Sequence, residues 1–264
     1  MGANVHKVVI LAGGLGTRLS EETAVRPKPM VEIGNEPIIW HIMKIYSAQG
    51  FNDFLICAGY KQNIIKEYFS KYVVNHSDID INFKTGNIEI LTPHHEDWNV
   101  KIVDTGINTM TGGRLRRVRR FLEDDGEFLL TYGDGLSNVR LESLLNLHNR
   151  YRPIITATAV KPPGRFGALS LDGKDKVREF TEKPPGDRFW INGGYYAVSP
   201  EIFDYIKGDE TPLEKEPLET IAKEGKMRAL QHRGFWKSMD TMTDKRQLEE
   251  LWNSGKAPWK VWND

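Results

Sequence analysis

The sequence predicts an α/β fold, a mostly parallel mixed sheet with helices on both faces and a hairpin-rich insertion. Three observations predict it: short apolar runs that end at glycine, helical periodicity between those runs, and one stretch that switches to strict alternation. Val8-Val9-Ile10-Leu11-Ala12 is unbroken and rich in β-branched residues, as suits a strand buried on both faces of a parallel sheet. Phe54-Leu55-Ile56-Cys57-Ala58 stops at Gly59, Phe128-Leu129-Leu130-Thr131-Tyr132 stops at Gly133, and the run from Ile154 to Val160 leads to the pair Pro162-Pro163.

Between these strands, Ile38, Ile39, Ile42, Ile45 and Tyr46 share one helical face, with Asn35 expected as the cap, Pro37 near the first turn and Gly50 as the stop. Ile64, Ile65, Tyr68, Phe69 and Tyr72 repeat that period, and Leu141, Leu144, Leu145 and His148 form a third helix. From Ile79 to Asp104 the pattern changes. Ile79, Ile81 and Phe83 alternate with polar residues and Thr85-Gly86-Asn87 reads as a turn before Ile88-Glu89-Ile90-Leu91, so this section is the expected insertion. Later strands at Ala168-Leu169-Ser170-Leu171, Val177-Arg178-Glu179-Phe180 and Tyr195-Tyr196-Ala197-Val198, with Asp172-Gly173 as a turn, make the sheet mixed. No linker or repeat divides the chain, so residues 1–264 are read as one domain.

Thirty-six basic residues balance thirty-six acidic ones. General attraction to nucleic acid or to an anionic membrane is thereby excluded, and any bound anion must be caught locally. The single cysteine, Cys57, lies in an apolar run and allows neither an internal disulfide nor a multi-cysteine zinc site, which suits a core thiol in a reducing cytoplasm. No apolar stretch approaches the roughly 20 residues of a membrane span, and the N-terminus lacks signal-peptide order. The seven histidines have no metal-ligand spacing, and His94-His95 reads as a polar loop. Three of the seven tryptophans fall in the last residues, Trp252 to Asp264, where packing on this subunit or a neighbour is expected.

Leu11-Ala12-Gly13-Gly14-Leu15-Gly16-Thr17-Arg18 follows the first strand, where glycines let backbone N–H groups approach a phosphate. It is neither of two familiar loops. A dinucleotide fingerprint starting at Gly14 needs a small sixth residue where Leu19 stands, and a P-loop needs Lys-Ser/Thr after its last glycine where Thr17-Arg18 stands. Ten residues on, Lys28 is fixed between Pro27 and Pro29, which restrict the backbone around a cation. Each feature alone is also compatible with a structural turn or a solvated lysine. Together the loop, Arg18 and Lys28 form a set able to bind a triphosphate and offset charge on a transferring phosphoryl group.

At this point the string from Leu11 to Arg18, with Lys28-Pro29 downstream, resembles the signature of sugar-1-phosphate nucleotidyltransferases, and within them that of the glucose-1-phosphate cytidylyltransferases. The likeness extends through Ser20-Glu21-Glu22-Thr23, Thr111-Gly112-Gly113-Arg114, Thr131-Tyr132-Gly133-Asp134-Gly135, Arg165-Phe166-Gly167-Ala168 and Gly255-Lys256-Ala257-Pro258-Trp259. It implies a Rossmann-like sheet of the nucleotide-diphospho-sugar transferase type, with a nucleotide-binding part over about residues 1–135 and a sugar-phosphate-binding part over about 136–264. It implies that CTP and glucose 1-phosphate give CDP-glucose and pyrophosphate with Mg²⁺. Arg18 and Lys28 would be catalytic. Leu11, Ala12, Gly13, Gly14, Gly16, Thr17, Thr109, Arg114 and Gly133 would join them in holding the nucleotide, within or across subunits. Asp134 and Asp240 would bind the metal, and Gly167, Glu182, Lys183 and Asn192 the sugar phosphate. The resemblance further implies a homo-oligomer, the homohexamer being one such state, that supplies dideoxysugars of a bacterial surface polysaccharide. The other arginines of Arg114-Leu115-Arg116-Arg117-Val118-Arg119-Arg120 read as a solvated helix face. A UTP- or dTTP-using relative and a non-catalytic nucleotide-sugar sensor are the alternatives.

Overall fold

A computed structural model describes residues 7–92, 96–123, 126–161, 168–171, 177–181 and 190–263. Its strands are β1 (Lys7–Ala12), β2 (Glu32–Ile33), β3 (Glu36–Pro37), β4 (Asp53–Ala58), β5 (Asp78–Asn82), β6 (Asn87–Thr92), β7 (Asn99–Asp104), β8 (Phe128–Tyr132), β9 (Gly135–Ser137), β10 (Ile155–Val160), β11 (Ala168–Leu171), β12 (Val177–Thr181), β13 (Ile191–Val198), β14 (Met227–His232) and β15 (Trp236–Ser238). The helices are α1 (Ser20–Thr23), α2 (Ile38–Ser47), α3 (Gln62–Asn75), α4 (Thr111–Arg117), α5 (Leu141–Tyr151), α6 (Glu216–Lys223) and α7 (Met242–Asn253).

Seven strands form the main sheet in the order β14-β10-β13-β8-β1-β4-β7. β1 pairs in parallel with β4 and β8, β4 with β7, and β10 with β14, while β13 runs antiparallel to both β8 and β10. The sheet is mixed, as expected. Its period-two alternation builds two cores: Val8, Ile10 and Ala12 face one together with α2, whereas Val9, Leu11, Leu55 and Cys57 face the other with Leu115 of α4 and Ile221 of α6. Cys57 is buried there, and burial pushes its thiol up to about 12.

Two expectations are corrected. Asn35 does not cap α2: it follows Gly34 in the turn between β2 and β3, and Pro37, extended at φ −66° and ψ 150°, is the residue that precedes the helix. The stretch from Ile79 to Asp104 is also not all insertion. β5 and β6 form a separate hairpin, but Asn99–Asp104 is an edge strand of the main sheet, hydrogen-bonded along β4. Its polar alternation reflects its two faces: Val100 and Ile102 pack on the core while Asn99 and Lys101 face water. The Asp172-Gly173 turn and the His94-His95 loop lie outside the described residues.

The tryptophan-rich tail packs on its own chain. Trp259 is fully buried, stacks on Phe235 and Trp252, and its indole N–H donates to Nδ1 of the buried His41 at 3.4 Å. The other ring nitrogen, Nε2, lies 2.9 Å from the Ile33 carbonyl, which selects the Nε2–H tautomer of a neutral imidazole. No helix among the described residues is long and apolar enough to cross a membrane.

Candidate functional site

At the carboxyl ends of β1 and β8 the chain turns away from the sheet, leaving a cleft of about 330 Å³. Leu11, Ala12, Gly13, Gly14, Gly16, Thr17 and Arg18 form one wall, Lys28 and Pro29 the floor, and Thr109 to Thr111 with Arg114 the opposite wall, closed by Tyr132, Gly133 and Asp134. Gly16 sits at φ +64°, and a Cβ there would come within 2.7 Å of Thr23. A side chain at Gly13 would overlap the Arg114 guanidinium, at 2.0 Å from Nη1. The loop therefore owes its glycines to close packing as well as to turning.

Arg114 explains that packing. Its side chain is buried, and it donates to the carbonyls of Gly13 at 2.9 Å, Gly106 at 2.6 Å and Ile107 at 3.0 Å, and to Oγ1 of Thr105 at 2.9 Å. The planar fork thus ties the glycine loop to the segment after β7. Burial lowers the Arg114 pKa, and the buried charge is carried by carbonyl dipoles.

The charged centre lies at the mouth of the loop. The Lys28 ammonium sits 2.5 Å from Oδ2 of Asp134 and 2.8 Å from Oδ1 of Asp240, and Arg18 reaches the same Asp240 oxygen at 3.1 Å. These aspartates are 106 residues apart, and two local devices join them. β9 pairs antiparallel with β15, and the Met239 N–H donates to the Asp134 carbonyl at 2.9 Å. Immediately after Asp240, Thr241 caps α7 in a capping box with Asp244, whose Oδ2 also accepts from the Asp240 N–H at 3.3 Å. Burial pulls the Lys28 pKa down, but Asp134 and Asp240 outweigh it and the net shift is upward. For Asp240 burial raises the pKa, and the bonds from Lys28 and Ser238 with the charge of Arg18 bring it below the usual carboxylate value. The ammonium stays charged, and so does the Asp240 carboxylate.

Residues 7–244 match the family described as Nucleotidyl transferase. The chain belongs to the nucleotidyl transferase family. This nucleotidyl transferase is 52% identical over 256 residues, 97% of its length and 99% of the relative's, to the glucose-1-phosphate cytidylyltransferase of Salmonella typhi. It is 42% identical, over 97% of its length and 100% of the relative's, to a probable glucose-1-phosphate cytidylyltransferase of Bacillus subtilis. Among solved structures, HddC from Yersinia pseudotuberculosis superposes with a TM-score of 0.68 at 23% identity, covering 94% of this chain and 100% of that one. A UDP-glucose pyrophosphorylase complexed with UDP-glucose gives 0.67 at 16% identity over 95% and 99%. These two likenesses establish the α/β sheet architecture alone.

In this nucleotidyl transferase the cleft gathers the residues expected of the nucleotide site, Leu11, Ala12, Gly13, Gly14, Gly16, Thr17 and Arg18 together with Lys28, Thr109, Arg114 and Gly133, and it includes Asp134. Asp240 joins through Lys28 and Arg18. Asn192 stands at the start of β13, its Oδ1 accepting from the Gly194 N–H at 3.0 Å and its Nδ2 donating to the Tyr196 hydroxyl. Gly167, Glu182 and Lys183 lie outside the described residues. Of the other arginines, Arg117 forms a two-point pair with Asp209 and Arg119 pairs with Glu123, both on exposed surface. Pro29, Met110, Thr111 and Tyr132 also line the cleft, although the sequence motifs marked none of them as site residues. Tyr132 could have been found from its place at the carboxyl end of a central strand.

Proposed function

We propose that this cleft transfers the cytidylyl group of CTP to glucose 1-phosphate, giving CDP-glucose and pyrophosphate. A phosphate oxygen of the sugar phosphate attacks the α-phosphorus of CTP, the bond from that phosphorus to the bridging oxygen of the β-phosphate breaks, and pyrophosphate leaves with that oxygen. The observation that carries this reading is the cation-rich glycine loop beside two converging carboxylates, in a chain 52% identical across nearly its whole length to a glucose-1-phosphate cytidylyltransferase. In this reading the loop N–H groups cradle the triphosphate, and Arg18, with 71% of its side chain exposed, reaches its phosphates. Lys28 offsets charge as the pentavalent centre develops. Arg114 serves the nucleotide by holding the loop in place. Asn192, with Gly167, Glu182 and Lys183, meets the sugar phosphate, which assigns the nucleotide to about residues 1–135 and the sugar to about 136–264.

Asp134 and Asp240 would hold Mg²⁺. Both already converge on one cation, the Lys28 ammonium, and no group of three His, Cys, Asp or Glu side chains able to hold a metal is found among the described residues. Two hard oxygens plus phosphate oxygens and water suit Mg²⁺, which supplies charge neutralisation on the phosphates when bound. The reading extends to a cytoplasmic homo-oligomer, a hexamer in the fullest form, making precursors of dideoxysugars. Self-association is supported by the β5–β6 hairpin, whose paired Ile79/Ile90 and Ile81/Ile88 share one face and whose Phe83 is 92% exposed. Such a face fits the same face of a second copy. Lysine at Ile81 and Ile88 should then yield a smaller species in sedimentation.

The deciding experiment measures pyrophosphate release from glucose 1-phosphate with CTP, UTP and dTTP separately. CTP should dominate. Faster turnover with UTP or dTTP would replace the base assignment, and binding of CDP-glucose without turnover would make the chain a sensor. Asp134→Asn and Asp240→Asn should each raise the Mg²⁺ concentration for half-maximal rate. Acting through one ion, the double variant should lose much less than the product of the two single losses.

A further inference from the structure

Glu214 lies outside the nucleotide wall, two residues before α6, yet its carboxylate joins two residues that line the cleft. Oε1 accepts from the Tyr132 hydroxyl at 2.5 Å, and Oε2 accepts from Oγ1 of Thr111 at 2.6 Å. Tyr132 ends β8 and Thr111 begins α4, so one exposed side chain spans the two walls. The Tyr132 oxygen lies 3.1 Å from that of Tyr196, and the Tyr196 hydroxyl in turn receives a hydrogen bond from Nδ2 of Asn192.

The donor directions along this chain are determined at its end. An ionised carboxylate only accepts, so Tyr132 and Thr111 must both point their protons at Glu214. The Tyr132 oxygen is then free to accept from Tyr196, and the Tyr196 oxygen to accept from the Asn192 amide. The Thr111 oxygen meanwhile accepts from the Leu213 N–H at 2.8 Å. At its far end, Asn192 is oriented with its nitrogen on Tyr196 and its oxygen on the Gly194 N–H at 3.0 Å.

We propose that Glu214 is a positioning residue for the sugar phosphate: by accepting the Tyr132 and Thr111 protons it sets the polarity of the Tyr132–Tyr196–Asn192 chain, and so holds the Asn192 amide firmly in the orientation that the Gly194 N–H also requires. The inference rests on the proposed reaction and on Asn192 as a sugar contact. Glu214→Gln tests it without changing size, because the amide offers one acceptor and one donor where two acceptors are required. Tyr132→Phe breaks the same chain with the ring retained.

Steady-state kinetics with CTP and glucose 1-phosphate varied in turn should show the KM for glucose 1-phosphate raised about threefold to tenfold in Glu214→Gln and in Tyr132→Phe, the scale of one lost hydrogen bond. In Glu214→Gln the KM for CTP and kcat should stay within about twofold, and the double variant should raise the KM for glucose 1-phosphate no further than the poorer single one. Glu214→Asp, which retains two acceptors on a shorter stem, should recover part of the loss. An unchanged KM for glucose 1-phosphate in both folded variants overturns the proposal, as do equal rises in both KM values or a lowered melting temperature with wild-type kinetics. If the wild-type protein turns over none of the three nucleotides, the proposed reaction fails instead, and the two failures are distinct.

Discussion

Lys28 occupies the position where two carboxylates converge, and its removal acts in two directions. Without the ammonium, the charge developing on the phosphates loses a preorganised partner, so Lys28→Ala should lower turnover by roughly 10²–10³. The same change leaves Asp134 and Asp240 facing each other with Arg18 as the nearby cation, so their affinity for a divalent ion in the absence of nucleotide should rise. Removing one positive charge from beside two carboxylates removes its repulsion of an incoming cation, and Mn²⁺ affinity should rise about tenfold or more. Mn²⁺ binding read by electron paramagnetic resonance, beside pyrophosphate release, checks both. Near-normal turnover in a folded variant would leave Lys28 as a structural ion pair with the two aspartates rather than a catalytic cation. The constraint on Lys28 was legible in the sequence, since two prolines flank it. Its partnership with Asp240 at 2.8 Å, across 212 positions, came only with the tertiary structure, since the family resemblance named both residues without pairing them.

At the scale of elements, the capping box of α7 matters more than its size suggests. Thr241 Oγ1 accepts from the Asp244 N–H at 3.2 Å and Asp244 Oδ2 accepts from the Thr241 N–H at 3.0 Å, which holds the chain immediately after Asp240. Thr241→Ala should cost about 1 kcal/mol of stability, a typical value for a lost N-cap. It should also raise the Mg²⁺ concentration needed for half-maximal rate, because Asp240 loses its fixed approach to the helix. Thermal melting and a Mg²⁺ titration would test this, and a destabilised variant with unaltered Mg²⁺ dependence would separate the cap from the site. The elements themselves were largely legible. Short, nearly unbroken apolar runs marked β1, β4, β8 and β10 because strands buried on both faces have no polar side. Asn35 misled because a turn and a helix cap favour the same residue types. β7 misled because an edge strand half open to water alternates like a hairpin strand.

For the whole molecule, two buried neutral histidines set the acid side of stability. Burial lowers the pKa of His41 to about 4, and burial with the nearby charge of Arg152 lowers that of His148 to about 4, against an ordinary value of 6.5. His148 is held by Oγ1 of Thr156 at 2.9 Å and Oγ of Ser199 at 3.1 Å. Between these values the unfolded chain binds more protons than the folded one. Their contribution is therefore complete above about pH 6.5 and is lost as the pH falls toward 4. The melting temperature should decline on going from pH 7 to pH 5, ahead of most carboxylate titration, and a flat profile over that interval would exclude the effect.

The sequence by itself determined the sheet's parallel centre, its mixed character, the two apolar layers and the glycine loop with its nearby cations. Each is written in spacing along a few neighbouring residues: period two in strands, the 3.6-residue period in helices, and glycine or proline where the backbone must bend. Only the tertiary structure decided that Arg114 spends its donors on the loop's own backbone, that Tyr132 and Thr111 meet at Glu214, and that Asp134 and Asp240 share one cation. Those relations depend on the order of strands in the sheet and on the β9–β15 pairing, which bring together residues far apart in the chain. Local periodicity carries no information about them, because the physical quantity that decides them is distance in space.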